Sequence, residues 1–264
     1  MYPTLFHIGS YRVDTYSVIW FIALSLAILW SIRRLEIYRL DEDESRRVMA
    51  MSFFFMLVGA KSFEYIIHWN SYMNDPSLFL DINRGGVHEF GAVSGAFLSA
   101  LVMCCIYPRK VSFSKLCDVA SPPAMLAITI GRWGCFLNGC CLGVWTDSFL
   151  GVHFPFDRAE VFRHPVQIYY SVIALVIVAV LLWAERRVIN IQRKQKKHYA
   201  VVAPLAVILY SLMRIAIVPV RDYQPFMWMM THSLTYKGIL IAFPFMCVWL
   251  AYSLIQLKSL SQHK

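Results

Sequence analysis

The chain has 264 residues, of which 58% are hydrophobic and 16% charged, with a formal net charge of +9. Soluble domains carry about 25% charged residues, so the composition excludes an ordinary soluble globular protein. It indicates an integral membrane protein.

Apolar runs recur along the chain. Runs of about 20 apolar residues cross a hydrocarbon core of about 30 Å, and backbone polar groups in lipid are satisfied within a helix. We therefore predict an all-α membrane protein of about seven transmembrane helices, with short helical and loop elements on its outer face. The predicted spans are residues 16–30, 48–69, 91–107, 116–137, 165–184, 199–218 and 238–257. Residues 1–264 are expected to form a single polytopic membrane domain, with the first span as its targeting signal.

Lysine and arginine are concentrated in the loops after spans 1, 3 and 5 and in the C-terminal tail. Such an excess marks the cytoplasmic side of a membrane protein. We therefore predict an N-terminus outside and a C-terminus in the cytoplasm. The positive net charge then reflects topology, and no nucleic-acid binding is expected.

Polar residues within the spans gather towards the predicted outer side. Those inside spans are Lys61, Glu64, Arg132 and Arg214, and those at the outer ends are Tyr16, Glu89, Gln167 and Tyr169. Intramembrane charges are costly and mark functional or paired groups. Because arginine grips phosphate with paired donors, we predict a cationic pocket for an anionic lipid headgroup. The alternative is that Lys61 pairs with Glu64 while the arginines snorkel or bond to carbonyls.

Arg221 belongs to the same candidate pocket. It follows Arg214 by two helical turns, so both side chains share a face of a continuous helix. Pro219 lies between them and weakens this prediction, since proline ends many helices.

Six segments carry a recognisable pattern in order along the chain, from about Tyr16 to Arg221. They are DTYSVIW, VGAKSFEYIIHW, RGGVHEFGAVSGAFL, DVASPPAMLAITIGRWGCFLNG, RHPVQIYYS and RIAIVPVRD. Together they resemble the bacterial prolipoprotein diacylglyceryl transferase family, whose signature is G-R-x-G-N-F-x-N-G-E. The resemblance implies a multi-pass enzyme of the bacterial inner membrane with its site towards the outer leaflet. It implies transfer of a diacylglyceryl group from phosphatidylglycerol to the cysteine thiol of a secreted lipoprotein precursor, with release of glycerol phosphate.

The departures from the family pattern fall mainly on acid–base residues. Cys135 and Cys140 stand at the asparagine and glutamate of the signature, and Phe90 stands at the family's histidine. Val218 and Tyr170 stand at two further glutamates. The anion-binding residues are retained, so we predict a divergent member of the family.

The candidate site follows from the pocket and the resemblance together. The candidate catalytic residues are Arg132, Arg214, His88, Glu89 and Cys140. The candidate substrate-binding residues are Tyr16, Lys61, Glu64, Cys135, Asn138, Gln167, Tyr169 and Arg221. Arg132 is expected to stabilise charge on the leaving glycerol phosphate, and His88 or Glu89 to supply a base. The alternative for His88 is an interfacial loop residue.

Cys135, Cys140 and Cys141 lie on the predicted outer side, where disulfides persist. We favour a structural disulfide or packed thiols. A thiolate beside Arg132 acting as nucleophile, and a metal site, are the alternatives. Zinc lacks a fourth ligand other than His153 or His164, so no metal and no cofactor are predicted.

The expected partners are phosphatidylglycerol or another anionic phospholipid, a secreted lipoprotein precursor and the bilayer, with a monomer as the default. Two alternatives stay open. One is a relative that serves another acceptor or only binds anionic lipid, and the other is a membrane thiol–disulfide oxidoreductase. Residues 224–232, QPFMWMMTH, read as an interfacial anchor or a lid over the site.

Overall fold

The computed structural model describes residues 3–9, 11–79, 88–108, 111–155, 157–158, 160–195, 197–221 and 233–262. The segment at residues 224–232 lies outside these ranges. Two short strands, β1 (Thr4–Ile8) and β2 (Tyr11–Asp14), form an antiparallel hairpin that the sequence analysis did not predict. The helices are α1 (Thr15–Arg34), α2 (Glu42–Ile67), α3 (Trp69–Asn74), α4 (Glu89–Ile106), α5 (Phe113–Asn138), α6 (Val166–Gln195), α7 (Val202–Ile217) and α8 (Leu234–Gln262).

Six of these helices are long and apolar enough to cross a membrane, namely α1, α2, α4, α6, α7 and α8, within the described ranges. The helical membrane architecture is therefore confirmed. The remaining long helix, α5, has 26 residues, but Lys115, Asp118 and Arg132 lower its apolar character. Seven spans and the orientation of the termini stay predictions.

The chain divides into two compact units, and the first contains residues up to Ser31 and from Cys117 onward. Its core lies along α6, where Tyr170, Ala174 and Leu181 pack with Met125 of α5 and Met213 of α7. These side chains are almost fully buried. The core therefore fixes α5, α6 and α7 against one another, and these helices carry six of the thirteen predicted site residues, including Arg132 and Arg214.

Asp118 ties α5 to the start of α7. Its carboxylate accepts hydrogen bonds from the backbone N–H groups of Ala203 at 2.7 Å and Val201 at 3.3 Å. The Nε2 atom of His198 lies 3.4 Å from the same carboxylate. The first N–H groups of a helix lack partners within the helix. The Asp118 side chain, which belongs to α5, therefore caps the N-terminus of α7.

The second unit contains Ile32–Leu116, and its two long helices are α2 and α4. Asp41 begins α2 by accepting a hydrogen bond from the N–H of Glu44 at 3.0 Å, as an N-cap residue does. The backbone N–H of His88 donates to the carbonyl of Ala60 at 3.1 Å. The start of α4 therefore lies beside the last turns of α2.

Candidate functional site

Three arginines converge on one buried tyrosine in the first unit. The Cζ atoms of Arg132, Arg214 and Arg221 lie 4.3, 5.9 and 5.8 Å from the centroid of the Tyr170 ring. Tyr170 is 1% exposed, and the three arginines are between 4% and 9% exposed. Each distance is within the range of about 6 Å at which a guanidinium is attracted to an aromatic face.

Three separate elements deliver these guanidiniums. Arg132 is on α5 and Arg214 is in the last turn of α7. Helix α7 ends at Ile217, and a 3₁₀ turn, Val218–Val220, leads to Arg221 in extended backbone. The N–H of Val144 donates to the carbonyl of Val220 at 3.0 Å, which holds that segment against the loop after α5.

Two further tyrosines surround Arg214. Its Cζ atom lies 5.5 Å from the ring centroid of Tyr236 and 5.9 Å from that of Tyr210. Aromatic faces orient a guanidinium without neutralising its charge. Like charges buried close together disfavour each other, and an anion among them removes that cost. The cluster is thus suited to bind an anionic group such as a phosphate.

The end of α5 has the hydrogen bonds of a Schellman motif. The N–H of Cys140 donates to the carbonyl of Cys135 and the N–H of Gly139 donates to the carbonyl of Phe136, each at 3.1 Å. Gly139 takes φ +71°, the left-handed conformation that this motif requires. The motif therefore brings Cys135 and Cys140 side by side at the helix end, although they are separated in sequence.

Cys141 joins them because its own backbone is left-handed, with φ +60°. The three sulfur atoms lie within 4.8 Å of one another, and all three residues are reduced thiols. Hydrogen bonds from Cys135 and Cys140, with the positive charges of Arg221 and Arg132, lower the pKa of the Cys141 thiol below its ordinary value. The cysteines are thus packed thiols here, one of the two arrangements favoured from sequence.

Gln167 connects the thiol cluster to the arginine cluster. Its Nε2 atom donates to the carbonyl of Cys140 at 2.6 Å, and the residue is 1% exposed. It lies one turn before Tyr170 on α6, so both side chains share a face. The buried Oε1 atom of Gln167 has no hydrogen-bond partner among the described residues. A buried acceptor is therefore available one turn along α6 from the ring that the arginines contact.

The loop between α5 and α6 is held by Arg163. Its guanidinium contacts both carboxylate oxygens of Asp157, at 2.8 and 3.1 Å, and donates to the carbonyl of Gly143 at 3.3 Å. The Nδ1 atom of His164 lies 3.0 Å from the hydroxyl of Tyr169. These contacts give Arg163 and His164 positioning roles in the loop.

Helix α1 packs on α5 next to the arginine. The Trp20 ring covers Gly131, where a Cβ atom would come within 2.6 Å of it, and a Cβ at Gly134 would lie 3.4 Å from the carbonyl of Tyr16. A shallow apolar groove between α1 and α5 is lined by Ile19, Ile22, Thr129, Ile130 and Trp133. The groove therefore offers an apolar surface on the two helices that carry Tyr16 and Arg132.

A second set of candidate residues lies at one end of the α2–α4 pair. Glu64 is paired with the Nδ1 atom of His68 at 3.0 Å, and the amine of Lys61 lies 5.9 Å from the Tyr65 ring centroid. The buried Nδ1 atom of His88 has no hydrogen-bond partner among the described residues. Glu89 follows it as the exposed first residue of α4.

Most of the chain matches one known protein family. Residues 3–255 match the model of the prolipoprotein diacylglyceryl transferase family. The chain belongs to this family. The family is one of transferases, so the resemblance inferred from the six segments is confirmed.

Several relatives carry the name phosphatidylglycerol–prolipoprotein diacylglyceryl transferase. The Listeria innocua protein is 32% identical over 155 residues, which cover 58% of this chain and 55% of that relative. The Clostridium novyi protein is 30% identical over 193 residues, covering 71% of this chain and 74% of that relative. The Clostridium tetani protein is 27% identical over 190 residues, covering 71% and 75%. The match thus spans about half the length of the Listeria relative and three quarters of the clostridial ones.

The structure groups the predicted site residues into two sets. Arg132, Arg214, Arg221, Gln167, Cys135 and Cys140 meet around Tyr170 and the end of α5, where Asn138 is the last helical residue. Tyr16 lies on helix α1, which packs on α5. The hydroxyl of Tyr169 contacts His164. Lys61, Glu64, His88 and Glu89 belong to the α2–α4 unit. Their roles in catalysis stay predictions.

Tyr170 was not among the predicted site residues, and Cys141 was considered only as one of the three outer thiols. Tyr170 stood out only as a replacement for a family glutamate, and a buried aromatic ring is normally read as core. Its signal was its position one turn after Gln167. The grouping of Cys141 with the other thiols depends on a left-handed backbone at a cysteine, which sequence does not indicate.

Proposed function

We propose that this chain transfers a diacylglyceryl group from phosphatidylglycerol to the cysteine thiol of a secreted lipoprotein precursor. The observation that carries the proposal is the convergence of Arg132, Arg214 and Arg221 on the Tyr170 ring. Membership of the family and the names of the relatives support it. The acceptor site is proposed to face the outer leaflet of a bacterial inner membrane.

The arginine cluster suits the charge that develops in this reaction. The acceptor sulfur attacks the carbon of the diacylglyceryl group that bears the phosphate oxygen. The bond between this carbon and that oxygen breaks, and the electron pair of the bond leaves with glycerol phosphate. The thiol proton is released. Guanidiniums already positioned around that phosphate stabilise the added charge without having to reorganise. Arg132 and Arg221, on different elements, are proposed to hold the phosphate from two directions.

Two neighbouring features support a phospholipid as the donor. The apolar groove between α1 and α5 lies in the same unit as Arg132 and suits an acyl chain. The buried Oε1 atom of Gln167 is available to accept a hydrogen bond from a hydroxyl of the headgroup glycerol. The phosphate, a headgroup hydroxyl and an acyl chain of one lipid would thus each contact a complementary group in the first unit.

The proposal is tested with purified protein, phosphatidylglycerol and a lipobox peptide, by following the peptide's mass and the released glycerol phosphate. We expect Arg132→Ala to reduce the rate by about 10²–10³-fold, the usual cost of removing one donor to a developing anion. Arg132→Lys is expected to recover only part of the rate, because lysine lacks the paired donors.

The matched control is Arg187→Ala, since Arg187 lies on α6 against Trp183 and outside the cluster. It should retain the parental rate. Absence of any mass gain with the parental protein would contradict the transferase. If phosphatidylglycerol still co-purified, the chain would be a lipid-binding relative or one that serves another acceptor.

A further inference from the structure

The three thiols at the end of α5 have the geometry of a metal site. Their sulfur atoms lie within 4.8 Å of one another. Zinc binds thiolate sulfur at about 2.3 Å, so sulfurs sharing one ion are separated by roughly 4 Å. Closing each pair by at most about 0.8 Å, within side-chain rotation, therefore suffices for all three sulfurs to bind one ion.

The cluster is also anchored. The Schellman hydrogen bonds fix Cys135 relative to Cys140, and Gln167 holds the carbonyl of Cys140 from α6. Cys135 is 4% exposed, whereas Cys140 and Cys141 are half-buried. A bound ion would thus be closed off on the helix side and reachable from the other.

Charge around the cluster favours an anionic thiolate complex. Arg132 lies one turn before Cys135 on α5, and Arg221 is joined to Gly143, two residues after Cys141, by a backbone bridge. Three thiolates around Zn²⁺ carry one net negative charge, and a fourth thiolate brings it to two. Positive guanidiniums near such a complex stabilise it, whereas they would repel a metal site built from neutral ligands.

The histidines that could complete the coordination are engaged elsewhere. The Nε2 atom of His153 lies 3.2 Å from the carbonyl of Arg158, and His164 contacts Tyr169. The group of potential ligands in the described part of the chain contains the three cysteines alone. The missing fourth ligand was the reason to predict no metal from sequence. Zinc sites in enzymes, however, commonly keep their fourth position open for water or substrate.

We propose that Cys135, Cys140 and Cys141 bind one zinc ion whose open fourth position receives the thiol of the acceptor cysteine. The metal-binding part stands on the thiol geometry, and the use of the open position rests on the proposed transferase function. Cys135 and Cys140 occupy two positions where the family signature has asparagine and glutamate. In this chain the metal takes over activation of the thiol.

The chemistry balances without a further reactant. The acceptor thiol binds zinc and releases its proton to solvent, because a metal-bound thiol is deprotonated. The zinc-bound sulfur attacks the glyceryl carbon, forming a carbon–sulfur bond while the carbon–oxygen bond to phosphate breaks. The electron pair of that bond leaves with glycerol phosphate. The thioether product is a weaker ligand than a thiolate and dissociates, which restores the open position.

Metal content is the first test. The full chain is purified under reducing conditions, loaded with Zn²⁺, dialysed and analysed by elemental mass spectrometry. We expect about one zinc per chain in the parental protein and in Cys247→Ser, a control on α8. Cys141→Ser and Cys140→Ser should each lower retained zinc at least about tenfold while eluting as folded protein. No zinc in the folded parental protein, or as much zinc in both cluster variants as in the parental protein, overturns the site.

Cobalt reports on the fourth position independently of turnover. Co²⁺ replaces zinc, and its thiolate charge-transfer absorption is recorded before and after addition of a lipobox peptide. The peptide with cysteine should strengthen and shift this absorption, whereas the same peptide with serine should not. Identical spectra with both peptides overturn binding of the acceptor thiol to the metal.

Transfer assays separate the two proposals. Removing zinc with a chelator should lower the rate by about 10²-fold or more, the scale of a lost general base, and added Zn²⁺ should restore it. Equal rates with and without zinc overturn thiol activation while leaving the transferase standing. If neither form transfers lipid, the proposed function fails, and metal content together with the cobalt spectrum still decides the metal site.

Discussion

At the scale of single residues, the Tyr170 ring determines how the three arginines of the site are oriented. The family pattern has a glutamate at this position, which would neutralise one positive charge. A tyrosine ring attracts each guanidinium by about 0.5–2 kcal/mol but leaves its charge in place. The buried ring therefore orients Arg132, Arg214 and Arg221 without adding a negative charge beside them.

Tyr170→Leu should weaken donor binding, because the three guanidiniums lose the face that orients them. We expect KM for phosphatidylglycerol to rise about tenfold, corresponding to the energy of one desolvated cation–π contact. Tyr170→Phe keeps the ring and should stay within about threefold, having lost only a weak hydroxyl contact with Arg221 at 3.5 Å. Tyr252→Leu, at an exposed position on α8, is the control. Equal KM values for Tyr170→Leu and Tyr170→Phe would contradict this role of the ring.

At the scale of elements, glycines determine how α2 and α4 pack. A Cβ atom at Gly95 would collide with the backbone carbonyl of Phe55, and one at Gly91 would collide with that of Gly59. Gly91 and Gly95 are four residues apart, the spacing of small residues that lets two membrane helices approach closely. The two backbones are therefore in direct contact, without side chains between them.

Gly95→Val should separate α2 from α4, because neither the carbonyl of Phe55 nor the backbone of Gly59 can move like a flexible side chain. We expect a loss of about 1–3 kcal/mol, the usual cost of overpacking, and a lower Tm in detergent. Leu98→Val on the same helix is the control, since Leu98 is 61% exposed. A Tm for Gly95→Val equal to that of the control would show that the contact is not tight.

At the scale of the whole molecule, the number of spans depends on α5. It has the length to cross a membrane, but Asp118 and Arg132 place charges near its two ends. Asp118 is satisfied by the start of α7 and Arg132 by the Tyr170 ring, so tertiary contacts offset the cost of both. We therefore retain the prediction of seven spans with an outer N-terminus and a cytoplasmic C-terminus.

Protease sites inserted on the two sides of α5 test this topology. A site after Ser148 should be cleaved by protease added to intact cells, whereas a site after Pro108 should be cleaved only when the membrane is opened. The physical reason is that a spanning α5 places its flanking loops in different compartments. Cleavage of both sites in intact cells, or of neither, would show that α5 does not cross. A third site after Lys197, in the segment between α6 and α7, is the cytoplasmic control.

The sequence by itself determined the membrane helices and the family, and it indicated an anion site that stays a prediction. Apolar runs longer than a membrane is thick can only become helices in lipid, and the positions of Arg132 and Arg214 inside such runs are enough to indicate an anion site. Gly139 after the last turn of α5 is likewise a local signal for a helix end. Each of these signals depends on a short stretch of neighbouring residues.

Only the tertiary structure decided which of these residues meet. Pro219 made a shared helix face for Arg214 and Arg221 doubtful, and α7 indeed ends before it. The two arginines converge nonetheless, because the loop after α5 holds the backbone at Val220 and α6 brings the Tyr170 ring between them. The thiol cluster likewise needs the left-handed turn at Cys141. Both arrangements depend on contacts between residues far apart in the chain, which no local pattern records.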